Sequence, residues 1–178
     1  MTRLSLEEIK TVMTILSQTI TKPQIELNYY SDYTLTVAVI LSAQSTDKGV
    51  NKVTSSLFQI ADTPAKMLKI GLEKLKDHIK SLGLYNNKAK NIINMSAILL
   101  NNFQGKVPNN FSDLISLPGV GRKSANVILN CFFNYKTIAV DTHVFRTSNR
   151  IGLCHANNVL LTEKQLMETI PNEFLNIA

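Results

Sequence analysis

The stretch Leu117–Ala125, LPGVGRKSA, decides how this 178-residue chain is interpreted. It follows FSDLISL, which has the pattern of a short helix, and it runs directly into the apolar helical segment NVILNCFF. A helix that needed only to start would use a Ser or Asp cap. The sequence instead predicts two helices joined by the tight turn PGVG, with the second helix beginning at about Arg122.

The predicted turn is suited to holding a phosphate. Gly119 and Gly121 allow positive φ and leave room for a ligand to approach the backbone. The first amides of the new helix lack intrahelical partners, and the helix dipole favours an anion there. Such contacts hold a nucleic-acid backbone without reading its bases. We therefore predict a helix-hairpin-helix motif at about residues 111–133, with Gly119, Val120, Gly121 and Arg122 as DNA-binding residues; an ordinary turn between two helices is the alternative.

The composition of the chain is consistent with a DNA-binding protein. The net charge of +6 fits a phosphate-rich partner, since Lys and Arg gain affinity by releasing counterions, but a solubilising surface charge explains it equally well. Apolar residues make up 44% of the chain, enough for one core or two small lobes. No apolar run approaches the roughly 20 residues that span a bilayer, and MTRLSLEEIK has no signal-peptide core. We therefore expect a cytoplasmic protein with no membrane partner.

Helical patterns cover nearly the whole chain, so the predicted class is all-α. The one β-like stretch, TIAV at residues 137–140, is too short and isolated to build a sheet. Helix starts are expected at Ser5 (a capping box with Glu8), Asp32, Asp47, Thr63, Asn86, Thr142 and Thr162, and a break is expected near Gly71. The helix after Asp32 is apolar almost throughout, which predicts burial on all sides.

Lys123 and Asp141 are the candidate chemical residues. A phosphate-binding lysine is the plain interpretation of Lys123, but a partly desolvated lysine beside Arg122 would be a better amine nucleophile. A helix from Arg122 to about Phe133 rises roughly 16 Å. Residues 134–140 can span up to about 23 Å, so the chain can return Asp141 to the side of Lys123. Asp141 is also a reasonable N-cap for THVFR, and spacing leaves both roles open.

Together, LPGVGRKSANVIL and TIAVDTHVFR resemble the helix-hairpin-helix and catalytic-aspartate signature of the endonuclease III family, whose members are bifunctional DNA glycosylases and apurinic/apyrimidinic (AP) lyases. The resemblance extends upstream through LSAQSTDKGVNK (41–52) and GLYNNKAKNI (83–92), so it covers most of the chain. It implies a helix-hairpin-helix glycosylase fold with two helical lobes and the DNA site between them. One lobe would comprise residues 23–134, and the other residues 1–22 with 135–178.

The resemblance also implies roles for individual residues. Lys123 matches the nucleophile that attacks the deoxyribose C1′ and forms a Schiff base, after which β-elimination cuts the strand 3′ to the lesion. Asp141 matches the carboxylate that assists deprotonation of the amine and stabilises positive charge on the sugar. Gln44 and Leu84 match positions that fill the gap left by the extruded nucleotide. On the residues alone, they would be a polar residue at a helix end and a core leucine.

The implied partner is double-stranded DNA containing oxidised pyrimidines or abasic sites, bound by a monomer that is associated with the bacterial nucleoid. Family members carry a [4Fe–4S] cluster, but the four cysteine ligands would lie beyond Ala178, so no cofactor or metal is expected in this chain. Cys131 and Cys154 fall at other positions and are expected to be buried apolar residues.

The sequence is also compatible with two other functions. A monofunctional mismatch glycosylase of the same fold is disfavoured by Lys123, because the adenine-excising relatives do not place a lysine nucleophile there. A non-catalytic DNA-binding module that uses the hairpin only to hold the backbone is disfavoured by Asp141 at the matching distance.

Overall fold

The computed structural model describes residues 3–20 and 23–175, and within them regular structure is entirely helical. The helices are α1 (Leu6–Thr19), α2 (Asp32–Ser42), α3 (Asp47–Ile60), α4 (Pro64–Ile79), α5 (Tyr85–Phe103), α6 (Phe111–Ser116), α7 (Arg122–Cys131), α8 (Thr142–Ile151) and α9 (Val159–Thr169). The TIAV stretch forms no strand. The all-α prediction is confirmed.

The chain divides into two compact units. The middle unit is Glu26–Ile128, and the terminal unit combines Met1–Ile25 with Leu129–Ala178. Helix α7 begins in the middle unit, and its last residues belong to the terminal unit. Residues 1–2, 21–22 and 176–178, which the resemblance assigned to the second lobe, lie outside the described residues.

Helix α2 lies at the centre of the middle unit. Every residue from 33 to 41 is buried, as its continuous apolar sequence predicts. Helix α5 packs against α2 and α4, and α3 packs against the same two helices. The Tyr33 hydroxyl lies 2.7 Å from the Ser96 hydroxyl of α5, and burial raises the pKa of Tyr33. This buried bond satisfies both hydroxyls and fixes how α2 and α5 pack.

Several predicted caps are confirmed because they depend on residues within one turn. Ser5 and Glu8 form the capping box of α1, and the Thr63 side chain accepts from Lys66 N at the start of α4, with Pro64 in the first turn. Gly71, at φ 77°, interrupts α4 where a break was expected.

Helix α2 begins at Asp32, as expected, but the predicted cap of α2 and the predicted starts of α5 and α9 are wrong. Ser31 rather than Asp32 caps α2, because the Asp32 carboxylate instead accepts from Val107 N at 3.1 Å. Helix α9 begins at Val159 rather than near Thr162, because Asn158 caps it. Helix α5 is not capped by Asn86, because Leu84 is its N-cap residue.

The terminal unit is built from both ends of the chain. Leu4 N donates to Gly152 O at 3.0 Å, which ties the residues before α1 to the end of α8. Ile9 and Met13 of α1 are buried in the core of this unit, whose other buried members are Ile138, Val140, Leu153, Cys154, Leu166, Ile170 and Leu175. The position of α8, and of the residue that caps it, therefore depends on α1.

Cys154 is buried, as expected, whereas Cys131 is only half-buried, and burial raises the pKa of both thiols. None of the described helices is both long and apolar enough to cross a bilayer.

Candidate functional site

The hairpin between α6 and α7 is held by two buried apolar side chains. Leu117 and Val120 both point into the middle unit, and Val120 N donates to Leu117 O at 3.1 Å, which closes the turn. Ala125 N donates to Gly121 O at 2.9 Å and starts the α7 ladder. Ala125 and Ile128 are fully buried on the inner face of α7. The turn therefore presents its glycines to solvent on a fixed base.

The two glycines of the turn serve different purposes. Gly119 has φ +84°, and a β-carbon there would lie 3.0 Å from Asn91 Cβ and 3.2 Å from Ile40 Cγ2. The prediction of a positive φ at Gly121 is wrong, since the backbone of Gly121 lies outside the left-handed region. A β-carbon on Gly121 would meet no atom of the described residues within 4 Å. Gly119 is thus required by its neighbours in the fold, whereas the space at Gly121 opens outward.

Arg122 and Lys123 lie on the exposed first turn of α7. The Arg122 guanidinium carbon lies 4.7 Å from the centre of the Phe111 ring, so a cation–π contact joins the start of α7 to the start of α6. Lys123 is exposed, so the expected partial desolvation of its amine is not found in the protein alone.

Gln44 and Leu84 lie in two turns that meet in the middle unit. Both have left-handed backbone, with φ +53° at Gln44 and +57° at Leu84. A β-carbon on Gly83 would lie 3.4 Å from Gln44 O, so the two turns are in backbone contact. Both side chains are exposed, Leu84 by 54%, and the alternative of a core leucine is wrong. Gln44 and Leu84, which the sequence predicted to act together, therefore project from neighbouring turns. We call these two turns, at Gln44–Ser45 and at Gly83–Leu84, the double turn.

Leu84 also begins α5, in place of the predicted Asn86 cap. It is the N-cap residue, it makes no side-chain capping bond, and its carbonyl accepts from Asn87 N and Lys88 N. A left-handed leucine is an unfavourable helix start, because its β-carbon crowds the backbone in that conformation and its apolar side chain cannot accept a bond from the first amides. The exposed apolar side chain at this point has no evident structural purpose.

Asp141 is the N-cap of α8, as one of the two sequence interpretations predicted. Its Oδ1 accepts from His143 N at 2.9 Å and from Val144 N at 3.0 Å. These bonds orient the carboxylate at the helix N-terminus, where the dipole stabilises its charge. Asp141 belongs to the terminal unit, while the other candidate residues belong to the middle unit.

Sequence reasoning missed three residues that support these turns. Asn91 packs under Gly119, Phe111 stacks on Arg122, and Lys88 donates from Nζ to Ser45 Oγ at 2.8 Å. Asn91 and Lys88 lie inside the GLYNNKAKNI segment, but their partners are far away in sequence, so no local pattern identifies the contacts.

The described residues do not fit a four-cysteine cluster. Only two cysteines occur in the sequence, and no three His, Cys, Asp or Glu side chains group as metal ligands across residues 3–20 and 23–175.

Comparison with known proteins identifies the family. Residues 37–172 match the HhH-GPD superfamily of base excision DNA repair proteins. The chain is 53% identical over 167 residues to endonuclease III of Rickettsia prowazekii (strain Madrid E), covering 94% of this chain and 79% of the relative. It is 48% identical over 163 residues to endonuclease III of Escherichia coli (strain K12), covering 92% and 77%.

A solved structure has the same fold. It contains an endonuclease III trapped as a covalent intermediate with DNA, in an estranged-adenine complex. That protein is 42% identical to this chain, with a TM-score of 0.92 over 98% of this chain and 82% of its own. The hairpin, the double turn and the capping aspartate thus occur in a chain that belongs to the endonuclease III family of the HhH-GPD superfamily.

Proposed function

We propose that this base-excision repair enzyme, a DNA glycosylase and AP lyase, uses Lys123 as its nucleophile and acts on oxidised pyrimidines and abasic sites in double-stranded DNA. The observation that carries the proposal is the placement of an exposed lysine on the first turn of α7, directly after a turn with an open backbone. A phosphate held by that turn would bring the sugar next to it within reach of the lysine amine.

The hairpin between α6 and α7 binds the DNA backbone. The outward space at Gly121 lets a phosphate oxygen approach the first amides of α7, which have no intrahelical partners. This contact does not depend on base identity, so it positions any duplex. Arg122, held against Phe111, adds positive charge beside the same turn.

Lys123 performs the covalent step. Its neutral amine attacks C1′, the glycosidic bond breaks, and the departing base takes up a proton. Opening of the sugar ring gives a Schiff base between C1′ and Nζ. Loss of a C2′ proton then allows the C3′–O bond to break, which releases the 3′ strand with its 5′-phosphate. An arginine, always protonated, could not carry out this sequence.

Asp141 serves as the carboxylate partner. Its assigned tasks are to assist deprotonation of the amine and to stabilise positive charge that develops on the sugar. The two backbone bonds to its Oδ1 fix the carboxylate before substrate arrives, which is the preorganisation that electrostatic stabilisation requires. Its capping role and its chemical role are compatible.

Gln44 and Leu84 fill the gap in the duplex. An enzyme that acts on a base inside a duplex has to extrude the nucleotide and compensate for the lost stacking. The exposed leucine in a left-handed helix start is suited to insertion between bases. The enzyme acts as a monomer on chromosomal DNA, in the bacterial cytoplasm.

Borohydride trapping on an abasic-site duplex tests the proposal. Borohydride reduces a Schiff base to a stable amine, so the wild-type protein should become cross-linked to DNA through Lys123, as mapped by mass spectrometry of the adduct peptide. Lys123→Arg should bind the duplex with wild-type affinity but give neither adduct nor strand cleavage. Lys106→Arg, an exposed lysine of the same unit, is the matched control and should trap normally.

The other functions give different outcomes. Base release without an adduct or strand cleavage would indicate a monofunctional glycosylase, and DNA binding without either reaction would indicate a binding module. Wild-type-like nicking by Lys123→Arg, after background cleavage is subtracted, would refute the assignment of the nucleophile.

A further inference from the structure

Lys88 is a buried lysine whose positive charge is unfavourable where it lies. It is 4% exposed, and burial lowers the pKa of its ammonium group. It lies in the first turn of α5, where the helix dipole disfavours positive charge. No carboxylate of the described residues forms an ion pair with it. An unbranched apolar side chain of similar length would fill the same space without these penalties.

The hydrogen bond of Lys88 connects the two turns of the double turn. Its Nζ donates to Ser45 Oγ at 2.8 Å, across 43 residues of sequence. Ser45 follows Gln44 directly, and Lys88 N donates to Leu84 O at 3.1 Å, one helical turn away. The bond therefore ties the residue beside Gln44 to the helical turn that begins at Leu84.

Both projecting residues need such a constraint. Gln44 and Leu84 each adopt left-handed backbone, which non-glycine residues adopt only when the surrounding structure holds them there. Neither side chain is buried, so packing of the side chain does not supply the constraint. The charge-assisted bond between the ammonium and the Ser45 hydroxyl is stronger than a neutral bond, and it is shielded from water by the burial of Lys88.

We propose that Lys88 is a positioning residue that clamps the Gln44–Ser45 turn to the Leu84 turn, so that Gln44 and Leu84 enter the duplex as one rigid wedge. The inference rests on the proposed function, in which these two residues fill the gap left by the extruded nucleotide. Lys88 is too buried to contact a phosphate, so it acts through Ser45 and not through the DNA.

A clamp of this kind matters only when a duplex has to be opened. Preorganised insertion lowers the barrier to extrusion from a stacked, paired strand, whereas a single-stranded substrate has no gap to fill. The clamp therefore predicts a loss that depends on the substrate, which a general structural role would not produce.

Lys88→Met is the test variant, because Met keeps the unbranched length and removes the ammonium. The measured quantities are kcat/KM for cleavage of an abasic site in a duplex and in a single strand, and the thermal midpoint. We expect the duplex value to fall about tenfold or more, since a small misplacement in a preorganised site has large effects. The single-strand value should be unchanged, and the thermal midpoint should stay the same or rise.

Two further variants make the test specific. Ser45→Ala should show the same preference for the single strand with a lower thermal midpoint, since it leaves the buried ammonium without its acceptor. The double variant, Lys88→Met with Ser45→Ala, should recover the thermal midpoint. It should lose no further duplex activity, because both substitutions remove the same hydrogen bond. Lys90→Met, an exposed lysine on the same helix, is the matched control and should cleave both substrates like the wild type.

Three results for Lys88→Met would overturn the inference. They are equal losses on both substrates, unchanged activity on both, and a decrease of about one in the slope of log Kd against log salt, which would indicate a direct phosphate contact. If the wild type itself neither cleaves nor traps abasic DNA, the proposed function fails, and the inference fails with it. That failure is separate, since it appears in the wild-type arm.

Discussion

Asp141 has one role in the fold and a second, proposed role in chemistry, and substitutions can separate them. Its Oδ1 receives both capping bonds of α8, and an amide oxygen can receive the same two bonds. Only a carboxylate carries negative charge toward a developing cation. The two roles of this residue therefore depend on different properties of its side chain.

We expect Asp141→Asn to keep nearly wild-type stability and to lose most base excision. Asp141→Ala should lose excision as well, and it should also lower the free energy of unfolding by about 1 kcal/mol, the usual value of an N-cap. Denaturant titration and single-turnover excision on a duplex containing an oxidised pyrimidine measure the two effects.

The capping role alone would give another pattern. Asp141→Asn would then excise the base at the wild-type rate per folded molecule, and Asp141→Ala would lose activity only in proportion to its unfolded fraction. Thr142→Ala is the control, because Thr142 is exposed and lies next to Asp141, and this variant should preserve excision. Ser148 of the same helix is buried, so its substitution would also change stability.

At the scale of the element, the hairpin separates a requirement of the fold from a requirement of the ligand. Gly119 combines a positive φ with close contacts to α5 and α2, through Asn91 and Ile40. Gly121, two residues later, has neither feature. Alanine at the two positions therefore tests different properties of one turn.

Gly119→Ala should lower the free energy of unfolding by about 1–3 kcal/mol, because alanine resists the left-handed backbone and its β-carbon would contact Asn91 too closely. Gly121→Ala should leave stability unchanged or raise it by about 0.4–1 kcal/mol, since the folded backbone accepts a side chain there. The same Gly121→Ala variant should bind undamaged duplex DNA more weakly, whatever its sequence.

Urea titration and fluorescence anisotropy with two unrelated duplexes measure these effects. If Gly121→Ala changes the preference among lesions while total DNA affinity is preserved, the hairpin does not bind the DNA phosphate backbone. If Gly119→Ala is as stable as the wild type, the contact with Asn91 does not constrain the turn.

At the scale of the whole molecule, the terminal unit depends on residues from the two ends of the chain. Ile9 of α1 is 2% exposed and packs in the core that also contains Leu153 and Leu166. This core supports α8, whose N-cap is Asp141. A defect in α1 should therefore affect the carboxylate even though α1 contains no candidate site residue.

We expect Ile9→Ala to lower the free energy of unfolding by about 2–5 kcal/mol, the usual cost of removing a large buried side chain. Excision should fall with it as the terminal unit loosens. Ile15→Ala on the same helix, where the side chain is 56% exposed, should change stability by less than about 0.5 kcal/mol. Thermal unfolding and excision assays at matched folded fractions check both; equal effects of the two variants would show that α1 does not support the core through Ile9.

The sequence by itself determined the features that depend on neighbouring residues. The Ser5–Glu8 capping box and the Thr63–Pro64 start each act within one helical turn, so the local pattern was sufficient. The order LPGVGRKS likewise predicted a turn followed by a helix at Arg122. Continuous apolarity predicted the buried centre at α2, because no face of that helix can be left in water.

Only the tertiary structure decided the features that depend on distant partners. It distinguishes Gly119 from Gly121, because the atoms that crowd Gly119 come from α2 and α5. The Asp32 carboxylate accepts from Val107 N instead of capping α2, and Leu84 instead of Asn86 is the N-cap residue of α5. The clamp from Lys88 to Ser45 joins residues 43 positions apart. Helix caps act over three or four residues, whereas such contacts exist only after the helices have packed, so no sequence window contains them.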